Sequence, residues 1–233
     1  MTPKPYYQDE KTTLYHGDCL QILPELKNID LIFTSPPYNL QGTLGTEWGR
    51  LKTGYNTHND KMAEEDYVKW QKDTLLACWE TLSETGAIFY NHKPRSIKNN
   101  TLLPTRLNPG LPLRQIIIWD RGSGFQRDGA HFVPSHEWIL ILAREKFRLT
   151  TRTVNDVWKA SPCADKDHPA SFPLALPMTA ISSTEAKVIL DPFAGSGTTL
   201  RAAKDLGRHS VGIEIDEKYC EIAALKLSQD LLF

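Results

Sequence analysis

The stretch VILDPFAGSGTTLRAA, residues 188–203, has the pattern of a buried strand, a glycine-rich turn and a helix. An apolar run ends at Asp191, and Gly195 and Gly197 precede a helical pattern that starts at Thr198. Glycines let a backbone approach a ligand closely, and the start of a helix offers free N–H groups to an anion. The stretch therefore predicts a ligand site at a strand end. The alternative is a tight turn that binds nothing.

Three classes of ligand compete for this turn. A phosphate-binding loop requires Gly-Lys-Ser/Thr, and no lysine stands in the turn. A dinucleotide site requires a third small residue where Leu200 stands. S-adenosylmethionine has a carboxylate for the helix start, an ammonium that suits an acid such as Asp191, and a ribose diol. Glu214 follows Asp191 by 23 residues, at the end of the next predicted strand, and is the candidate ligand for that diol.

A second strand end carries a rigid box of unusual composition. In DLIFTSPPYNL, residues 30–40, a nearly continuous apolar run leads into Ser35, Pro36, Pro37 and Tyr38. Such a run is typical of a strand that is covered on both faces. Prolines fix φ and carry no N–H group, so the box holds a hydroxyl, two carbonyls and an aromatic ring in place. We interpret it as part of a functional site; the alternative is a rigid turn or a proline-rich ligand segment.

The rest of the chain alternates strand and helix patterns. Further strands are predicted at TTLYHGD (12–18), GAIFYN (86–91), RQIIIW (114–119), HEWILILA (136–143) and SVGIEID (210–216), and helices at 19–26, at 64–82, from 198 to 206 and from 217 onward. This alternation predicts an α/β fold with a mostly parallel sheet and helices on both faces. No helical pattern separates RQIIIW from HEWILILA, so these two strands are expected to form an antiparallel hairpin at one edge.

Length and composition indicate a single domain over residues 1–233. The chain is 40% hydrophobic and 24% charged, which is typical of soluble globular proteins. No apolar run approaches the ~18 residues of a membrane span, and the N-terminal sequence lacks the apolar core of a signal peptide. A cytoplasmic location without membrane contact is expected. Residues 40–63 contain four glycines and are predicted to form a long loop, functional or mobile.

The positive charges of the chain concentrate in its middle. The whole chain has a formal net charge of −1, but residues 91–152 hold eleven Lys and Arg against four Asp and Glu. A basic region in an otherwise acidic chain suits a phosphate backbone, although a solvated surface can also be basic. No metal is expected, because the spacing of His136, Glu137 and His168 matches no set of metal ligands, and these residues are predicted to be structural.

Taken together, FTSPPYN (33–39) and DPFAGSGTT (191–199) resemble the motifs of the DNA amino-methyltransferases, which methylate N4 of cytosine or N6 of adenine. Supporting matches are HGD (16–18), HEWILILA (136–143) and KDHPASFP (166–173). The resemblance covers residues 14–225. The proline box comes first and the cofactor glycines last, as in the group called β. The resemblance therefore implies a circularly permuted form of the Rossmann-like methyltransferase fold, which is accessible when chain termini lie close together.

The resemblance also implies a chemical role for the box. The exocyclic amine of a base is a poor nucleophile, because its lone pair is delocalised into the ring. Acceptors for the N–H groups return that lone pair to nitrogen, and the Ser35 side chain and the Pro36 carbonyl are the candidates. Pro37 keeps the box rigid, and Tyr38 offers a face on which a flipped base stacks. Methyl transfer is expected to be direct, with its rate drawn from positioning and electrostatics.

The remaining expectations concern ligands and partners. The implied S-adenosylmethionine ligands are Asp18, Asp191, Phe193, Gly195, Gly197, Thr198 and Glu214. Double-stranded DNA is the implied substrate, with Arg121, Arg127, Arg148 and Arg152 as candidate contacts and residues 145–165 as the target-recognition segment. A homodimer is expected, and a restriction endonuclease is a further candidate partner. In the resembled family, serine in the box accompanies cytosine N4, and adenine N6 is the alternative.

More distant alternatives are a methyltransferase of RNA or protein amines and an inactive DNA-binding relative. The motif order disfavours the first, since those families place the cofactor box before the proline box. The complete set of motif residues from Ser35 to Tyr38 and from Asp191 to Glu214 disfavours the second.

Overall fold

The computed structural model describes residues 3–39, 61–97, 100–122, 124, 131–162 and 172–229. The strands are β1 (Tyr7–Gln8), β2 (Thr12–His16), β3 (Ile29–Thr34), β4 (Leu82–His92), β5 (Arg95–Ile97), β6 (Asn100–Leu102), β7 (Leu113–Asp120), β8 (His136–Ala143), β9 (Val157–Lys159), β10 (Val188–Asp191) and β11 (His209–Glu214). The helices are α1 (Cys19–Ile22), α2 (Glu64–Thr81), α3 (Ala175–Ser182), α4 (Thr198–Asp205) and α5 (Glu217–Ser228), and short 3-10 turns lie at Leu23–Glu25 and Pro104–Leu107.

Nine of these strands form one sheet in the order β1-β2-β11-β10-β3-β4-β8-β7-β9. The five central strands from β2 to β4 run parallel. The predicted mostly parallel α/β fold is therefore confirmed. The pairing of β2 with β11 joins the N-terminal strand to the C-terminal half of the chain, as the predicted permutation requires.

The predicted antiparallel hairpin is present as β7 and β8. It is not the outermost part of the sheet, however, because β9 pairs with β7 and forms the edge. The sequence did not predict β9, which has only three residues and no apolar alternation. The sequence also did not predict helix α3.

The core lies on both faces of the sheet. On β3, Leu31 and Phe33 belong to a cluster that includes Ala180 of α3 and Ala202 of α4. Ile32 points to the opposite face, where the cluster contains buried side chains of α2. Burial on both faces explains why the strand reads as a continuous apolar run.

The two connections that leave the centre of the sheet run over opposite faces. Strand β10 continues through α4 to β11, whereas its neighbour β3 continues through α2 to β4. The chain therefore diverges between β10 and β3. In open parallel sheets a crevice forms at such a point, just beyond the carboxyl ends of the strands. The glycine-rich turn and the proline box both start at this crevice.

Candidate active site at the carboxyl edge of the sheet

A cleft with about 970 Å³ of empty space, open mouth included, lies at this crevice. Its walls come from Gly17, Asp18, Cys19, Ser35, Pro36, Pro37, Tyr38, Trp70, Phe172, Pro192, Phe193, Ala194, Gly195, Thr198, Glu214 and Ile215. Both motifs therefore border one cavity.

The glycine-rich turn supports the start of α4. Gly195 and Gly197 have φ angles of 51° and 85°, a backbone conformation that glycine adopts without strain. A Cβ at Gly197 would also lie 3.1 Å from the Cβ of Ala223 in α5. The turn therefore requires glycine at residue 197, and it presents Thr198, the first residue of α4, to the cleft.

Glu214, at the end of β11, is fixed by two backbone donors. Its Oε2 accepts from Gly195 N at 2.8 Å and its Oε1 from Asp216 N at 2.9 Å. Burial raises the pKa of this carboxyl, and the two backbone hydrogen bonds oppose that shift. Each oxygen accepts one bond from the protein and has capacity for another, so the carboxylate can receive hydroxyl hydrogens from the cleft.

Asp191 lies beneath the cleft and does not line its wall. Its Oδ1 accepts from Thr34 Oγ1 at 2.8 Å and from Phe193 N at 3.1 Å, and its Oδ2 accepts from Thr199 Oγ1 at 2.7 Å. The side chain is 1% exposed, and burial raises its pKa to about 6. This geometry does not fit the predicted contact with an ammonium group. Asp191 instead joins the end of β3 to the start of α4.

Asp18 and Phe193, two further predicted cofactor ligands, also line the cleft. Asp18 caps α1 by accepting from Leu20 N at 2.9 Å, and it borders the cleft. Phe193 packs edge-on against Trp70, with ring centroids 5.6 Å apart. This aromatic pair and Ile215 provide an apolar surface for a flat ring. Trp70 was not predicted, because α2 lies far from both motifs in the sequence.

The proline box is connected to a buried polar network. Tyr38 Oη lies 2.7 Å from Ser35 Oγ, and it is within hydrogen-bond distance of Asn91 Oδ1 at 2.9 Å and Glu137 Oε2 at 3.0 Å. Asn91 donates its amide to the Trp138 carbonyl at 3.2 Å, which turns its oxygen towards Tyr38. Burial and the charge of Glu137 raise the pKa of Tyr38 well above its usual value. Tyr38 therefore stays protonated.

A second set of contacts joins Pro37 to side chains of α2. Tyr67 Oη lies 2.9 Å from the Pro37 carbonyl, and Gln71 Nε2 lies 3.4 Å from it. Tyr67 also lies 2.7 Å from His92 Nε2, while His92 Nδ1 donates to the Lys93 carbonyl at 2.8 Å. Burial lowers the pKa of His92 to about 3, so the ring is neutral, and its Nε2 and the Pro37 carbonyl share the single hydroxyl hydrogen of Tyr67 as alternative acceptors. Pro36 borders the cleft, and no residue in the described ranges donates a hydrogen bond to its carbonyl.

Asn39 closes the box. It has a positive φ of 54°, which Asn tolerates better than most residues. Its side chain accepts from Met62 N at 2.8 Å and donates to the Met62 carbonyl at 2.9 Å. Both ends of the predicted loop at 40–63 are thereby fixed beside the box. Residues 40–60 of that loop lie outside the described residues.

Comparisons with known proteins identify the family. The sequence model described as DNA methylase, which covers N6- and N4-specific enzymes, matches residues 29–225. This chain belongs to the DNA methylase family. It is 29% identical to the type II methyltransferase M.ScaI of Streptomyces caespitosus, over 97% of this chain and 84% of that protein. It is 28% identical to the type II methyltransferase M.HinfI of Haemophilus influenzae, over 97% of this chain and 71% of that protein.

Solved structures of DNA methyltransferases share the fold. The PvuII DNA methyltransferase (cytosine-N4-specific) superposes with a TM-score of 0.79 at 18% identity, over 99% of this chain and 91% of that chain. The M1.HpyAVI complex with S-adenosylmethionine superposes with a TM-score of 0.63 at 21% identity, over 93% of this chain and 100% of that chain. The DNA methylase is thus an S-adenosylmethionine-dependent DNA amino-methyltransferase of N4 or N6 type.

The cleft of this DNA methylase fits its cofactor. Glu214 offers the ribose diol a carboxylate with acceptor capacity, and the Phe193 surface suits the adenine ring. The start of α4 at Thr198 suits the carboxylate of the methionine part. Ser196 Oγ is buried in the same turn and has no hydrogen-bond partner among the described residues. This hydroxyl is therefore available to a polar group of the cofactor. These ligand assignments remain predictions for each residue.

The predicted DNA contacts of the methylase occupy different places. Arg121 is ion-paired with Glu137 at 3.3 Å and donates to the Pro134 carbonyl at 2.7 Å, so its guanidinium belongs to the buried polar network around Tyr38. Arg148 donates to the carbonyls of Glu145 and Phe147. Arg152 is exposed. Arg127 lies outside the described residues.

Residues 144–150 run along the edge of the sheet that faces away from the cleft. Arg144 N donates to the Gly86 carbonyl, and Thr150 N donates to the Ser183 carbonyl just before β10. Arg148 therefore does not suit a contact with DNA at the cleft. The predicted target-recognition segment at 145–165 reaches the cleft side only from β9 onward, and its residues 163–165 lie outside the described residues.

Several network residues were missed by sequence reasoning. Tyr67, Gln71, Asn91 and Glu137 occupy element patterns that read as ordinary helix and strand. Gln71 is fully buried on α2, where an apolar residue is expected. A polar residue on the buried face of a predicted helix was the one local feature of the sequence that could have indicated this network. None of the described helices is both long and apolar enough to cross a membrane.

Proposed function

We propose that this DNA methylase modifies N4 of cytosine in double-stranded DNA at a specific sequence, as a type II modification enzyme. The choice of cytosine rests on Ser35. In the DNA amino-methyltransferases that the chain resembles, serine at this position accompanies cytosine and aspartate accompanies adenine. The likeness to the cytosine-N4-specific PvuII enzyme concerns the fold at 18% identity and does not carry this choice.

The contacts of Tyr38 set the direction of the Ser35 hydroxyl. Asn91 Oδ1 and Glu137 Oε2 are both acceptors, so the phenol hydrogen points to one of them. The hydrogen that bridges Ser35 and Tyr38 must then come from Ser35. Ser35 Oγ consequently presents lone pairs to the cleft and accepts an N–H of the amine.

The Pro36 carbonyl provides the second acceptor. Pro36 lines the same cavity as Ser35, and the carbonyl of the adjacent Pro37 lies within hydrogen-bond distance of two side chains of α2. Two acceptors take both N–H groups of a primary amine and draw its lone pair back onto nitrogen. They are rigid because the prolines and the buried network cannot reorient, and preorganised acceptors of this kind stabilise developing charge effectively.

S-adenosylmethionine, when bound, supplies the methyl group as an electrophile. The protein holds the amine in line by the Ser35 and Pro36 contacts and excludes water with the aromatic walls of the cleft. The base must leave the duplex to reach this position. Tyr38 borders the path of the base, and its ring packs against His92 with centroids 4.5 Å apart. Stacking of the base on Tyr38 remains a prediction.

Mass spectrometry of nucleosides tests the proposal. DNA treated with the pure protein and S-adenosylmethionine should yield N4-methylcytosine at a single sequence. N6-methyladenine as the sole product would refute the choice of base, and the absence of any methylated nucleoside would refute the activity. Ser35→Ala is the matched variant, because it removes one acceptor and leaves the cofactor wall intact. It should retain S-adenosylmethionine affinity in calorimetry and lose most of the turnover.

The partners of the enzyme are supported to different degrees. A DNA substrate follows from the family, and its being double-stranded is part of this proposal. The homodimer and the restriction endonuclease stay predictions, since no contact in the described part of the chain bears on them. Light scattering at micromolar concentration measures the first directly.

A further inference from the structure

The hydrogen-bond network at Tyr38 contains more contacts than hydrogens. Three oxygens lie within 3.0 Å of the phenol oxygen: Ser35 Oγ, Asn91 Oδ1 and Glu137 Oε2. Only Ser35 and Tyr38 carry a hydroxyl hydrogen. The Asn91 oxygen cannot be exchanged for its amide, which donates to the Trp138 carbonyl. The three contacts therefore share two hydrogens, and one hydrogen position is vacant.

The position of Arg121 indicates that Glu137 can take up the missing hydrogen. Its Nη1 approaches Oε1 of the carboxylate at 3.3 Å and can only donate, so Oε2 is the oxygen left to face Tyr38. Glu137 is 5% exposed, and its nearest polar partners are these two side chains. A carboxylate with a free lone pair is thus held at one end of a chain of oxygens. Ser35 stands at the other end, in the cleft.

We propose that Glu137 is the terminal acceptor of the proton that the base amine loses, which reaches it through Ser35 and Tyr38. This inference rests on the proposed function, in which Ser35 accepts an N–H of the amine. Methylation of a neutral amine by a sulfonium releases one proton for each methyl group. The chain of oxygens from Ser35 to Glu137 gives that proton a direct path from the amine to a carboxylate.

The step balances in atoms and charge. The amine nitrogen forms a bond to the methyl carbon with its lone pair, and the carbon–sulfur bond breaks with its electron pair retained by sulfur. The amine proton passes to Ser35 Oγ, the Ser35 proton to Tyr38 Oη, and the Tyr38 proton to Glu137 Oε2. The positive sulfonium and the negative carboxylate become a neutral thioether and a neutral acid. Glu137 then releases the proton to solvent between turnovers.

The protonated network is the fully bonded one. After the transfer, Glu137 donates to Tyr38, Tyr38 donates to Asn91, and Ser35 donates to Tyr38, so each of the three contacts has its hydrogen. The carboxylates of Asp18 and Glu214, the two that line the cleft in the described part of the chain, are both engaged elsewhere. Asp18 caps α1, and Glu214 holds the glycine-rich turn.

Glu137→Gln separates a proton acceptor from a structural contact. The amide oxygen of the new side chain must face Arg121, so its NH2 group faces Tyr38 and donates. Tyr38 then donates to Asn91, and all three contacts are satisfied without a vacancy. The variant should fold and bind S-adenosylmethionine and DNA with wild-type affinity. Its single-turnover methylation rate at saturating cofactor and DNA should fall by ~10²-fold or more, the usual range for general acid–base catalysis.

A second variant tests the path itself. Tyr38→Phe keeps the ring but removes the link between Ser35 and Glu137, so its rate should fall comparably. The double variant should be no slower than either single variant, because both changes interrupt one path. Glu84→Gln, the same chemical change at a side chain that is 82% exposed and distant from the cleft, is the matched control and should keep the wild-type rate.

Each result is decisive. A Glu137→Gln enzyme within about threefold of the wild-type rate, in a range well below the general acid–base effect, would overturn the relay and leave Glu137 with a positioning role. Additive losses in the double variant would also overturn it. The proposed function is judged separately by the wild-type product. N6-methyladenine would refute the choice of cytosine but not the relay, because either amine releases one proton.

Discussion

Asp191→Asn tests the structural role that the fold gives to this buried acid. Asparagine keeps the shape of the side chain and removes the charge. Its oxygen can accept from Thr34 and Phe193 N as Oδ1 does now. Its amide can donate to Thr199 Oγ1, whose own hydrogen then turns to the Phe33 carbonyl 3.3 Å away. Each of the three hydrogen bonds of Asp191 thereby keeps a hydrogen, so the variant should fold.

The pKa of Asp191 gives the size of the effect. Burial raises it from 3.8 to about 6, so the folded state binds the proton more tightly than the unfolded chain. The acid therefore contributes stability that is fully present below pH 3.8 and is lost as the pH rises through 6. The asparagine variant does not titrate there. Relative to the wild type, its free energy of unfolding should rise by about 2 kcal/mol between pH 4 and pH 7.

Urea unfolding monitored by tryptophan fluorescence at pH 4, 5, 6 and 7 measures this difference. The other titrating groups, Glu214 among them, are present in both proteins. Their contributions therefore largely cancel in the difference between the two free energies of unfolding. A difference that does not change with pH would refute the argument, because Asp191 would then not be a buried charge. Calorimetry provides the second readout. A tenfold loss of S-adenosylmethionine affinity in the variant would instead restore the sequence-based prediction that Asp191 contacts the ammonium group.

Three further predictions follow from the cleft and its surroundings. Glu214→Ala should weaken S-adenosylmethionine binding by ~1.5–3 kcal/mol in calorimetry, the range for hydrogen bonds to a charged group, and unchanged affinity in a folded variant would remove Glu214 from the site. Gly197→Ala should destabilise the protein by ~1–3 kcal/mol in urea unfolding, because φ is 85° and the new Cβ would meet Ala223; wild-type stability would contradict this geometry. Arg148→Ala should leave DNA affinity unchanged in a fluorescence-anisotropy titration, and a large loss would show that DNA reaches the opposite edge of the sheet.

The two motifs could be predicted from sequence because each is local. A buried strand that ends in glycines or prolines fixes where the chain turns, and the carboxyl ends of parallel strands meet at one edge. The sequence therefore placed Ser35 and Glu214 at one cleft. It could not give the direction of a side chain at a strand end. Asp191 ends its strand as Glu214 does, yet it points beneath the cleft to Thr34 and Thr199.

The buried polar network around Tyr38 could not be predicted because its members are distant in sequence. Glu137 follows Tyr38 by 99 residues, and the two meet only because β4 and β8 pair in a fixed register. His136 and Glu137 were predicted to be structural, since their spacing matched no metal site. The proposed relay departs from that prediction at Glu137. A carboxylate on a central, buried strand still needs a partner, and this requirement is a stronger signal than spacing.

The basic residues of the middle region also show what sequence alone does not give, namely which charged side chains are exposed. A count of arginines and lysines over residues 91–152 treats every charge as exposed. The structure instead uses several of them internally. Arg95 pairs with Glu64 at 2.7 Å and lies over the Tyr67 ring, and Arg144 stacks on Trp79 at 4.2 Å. Guanidinium groups of this kind stabilise packing and carry little of the field that DNA experiences. We therefore expect DNA to bind along the cleft edge of the sheet and not along the whole basic segment of the sequence.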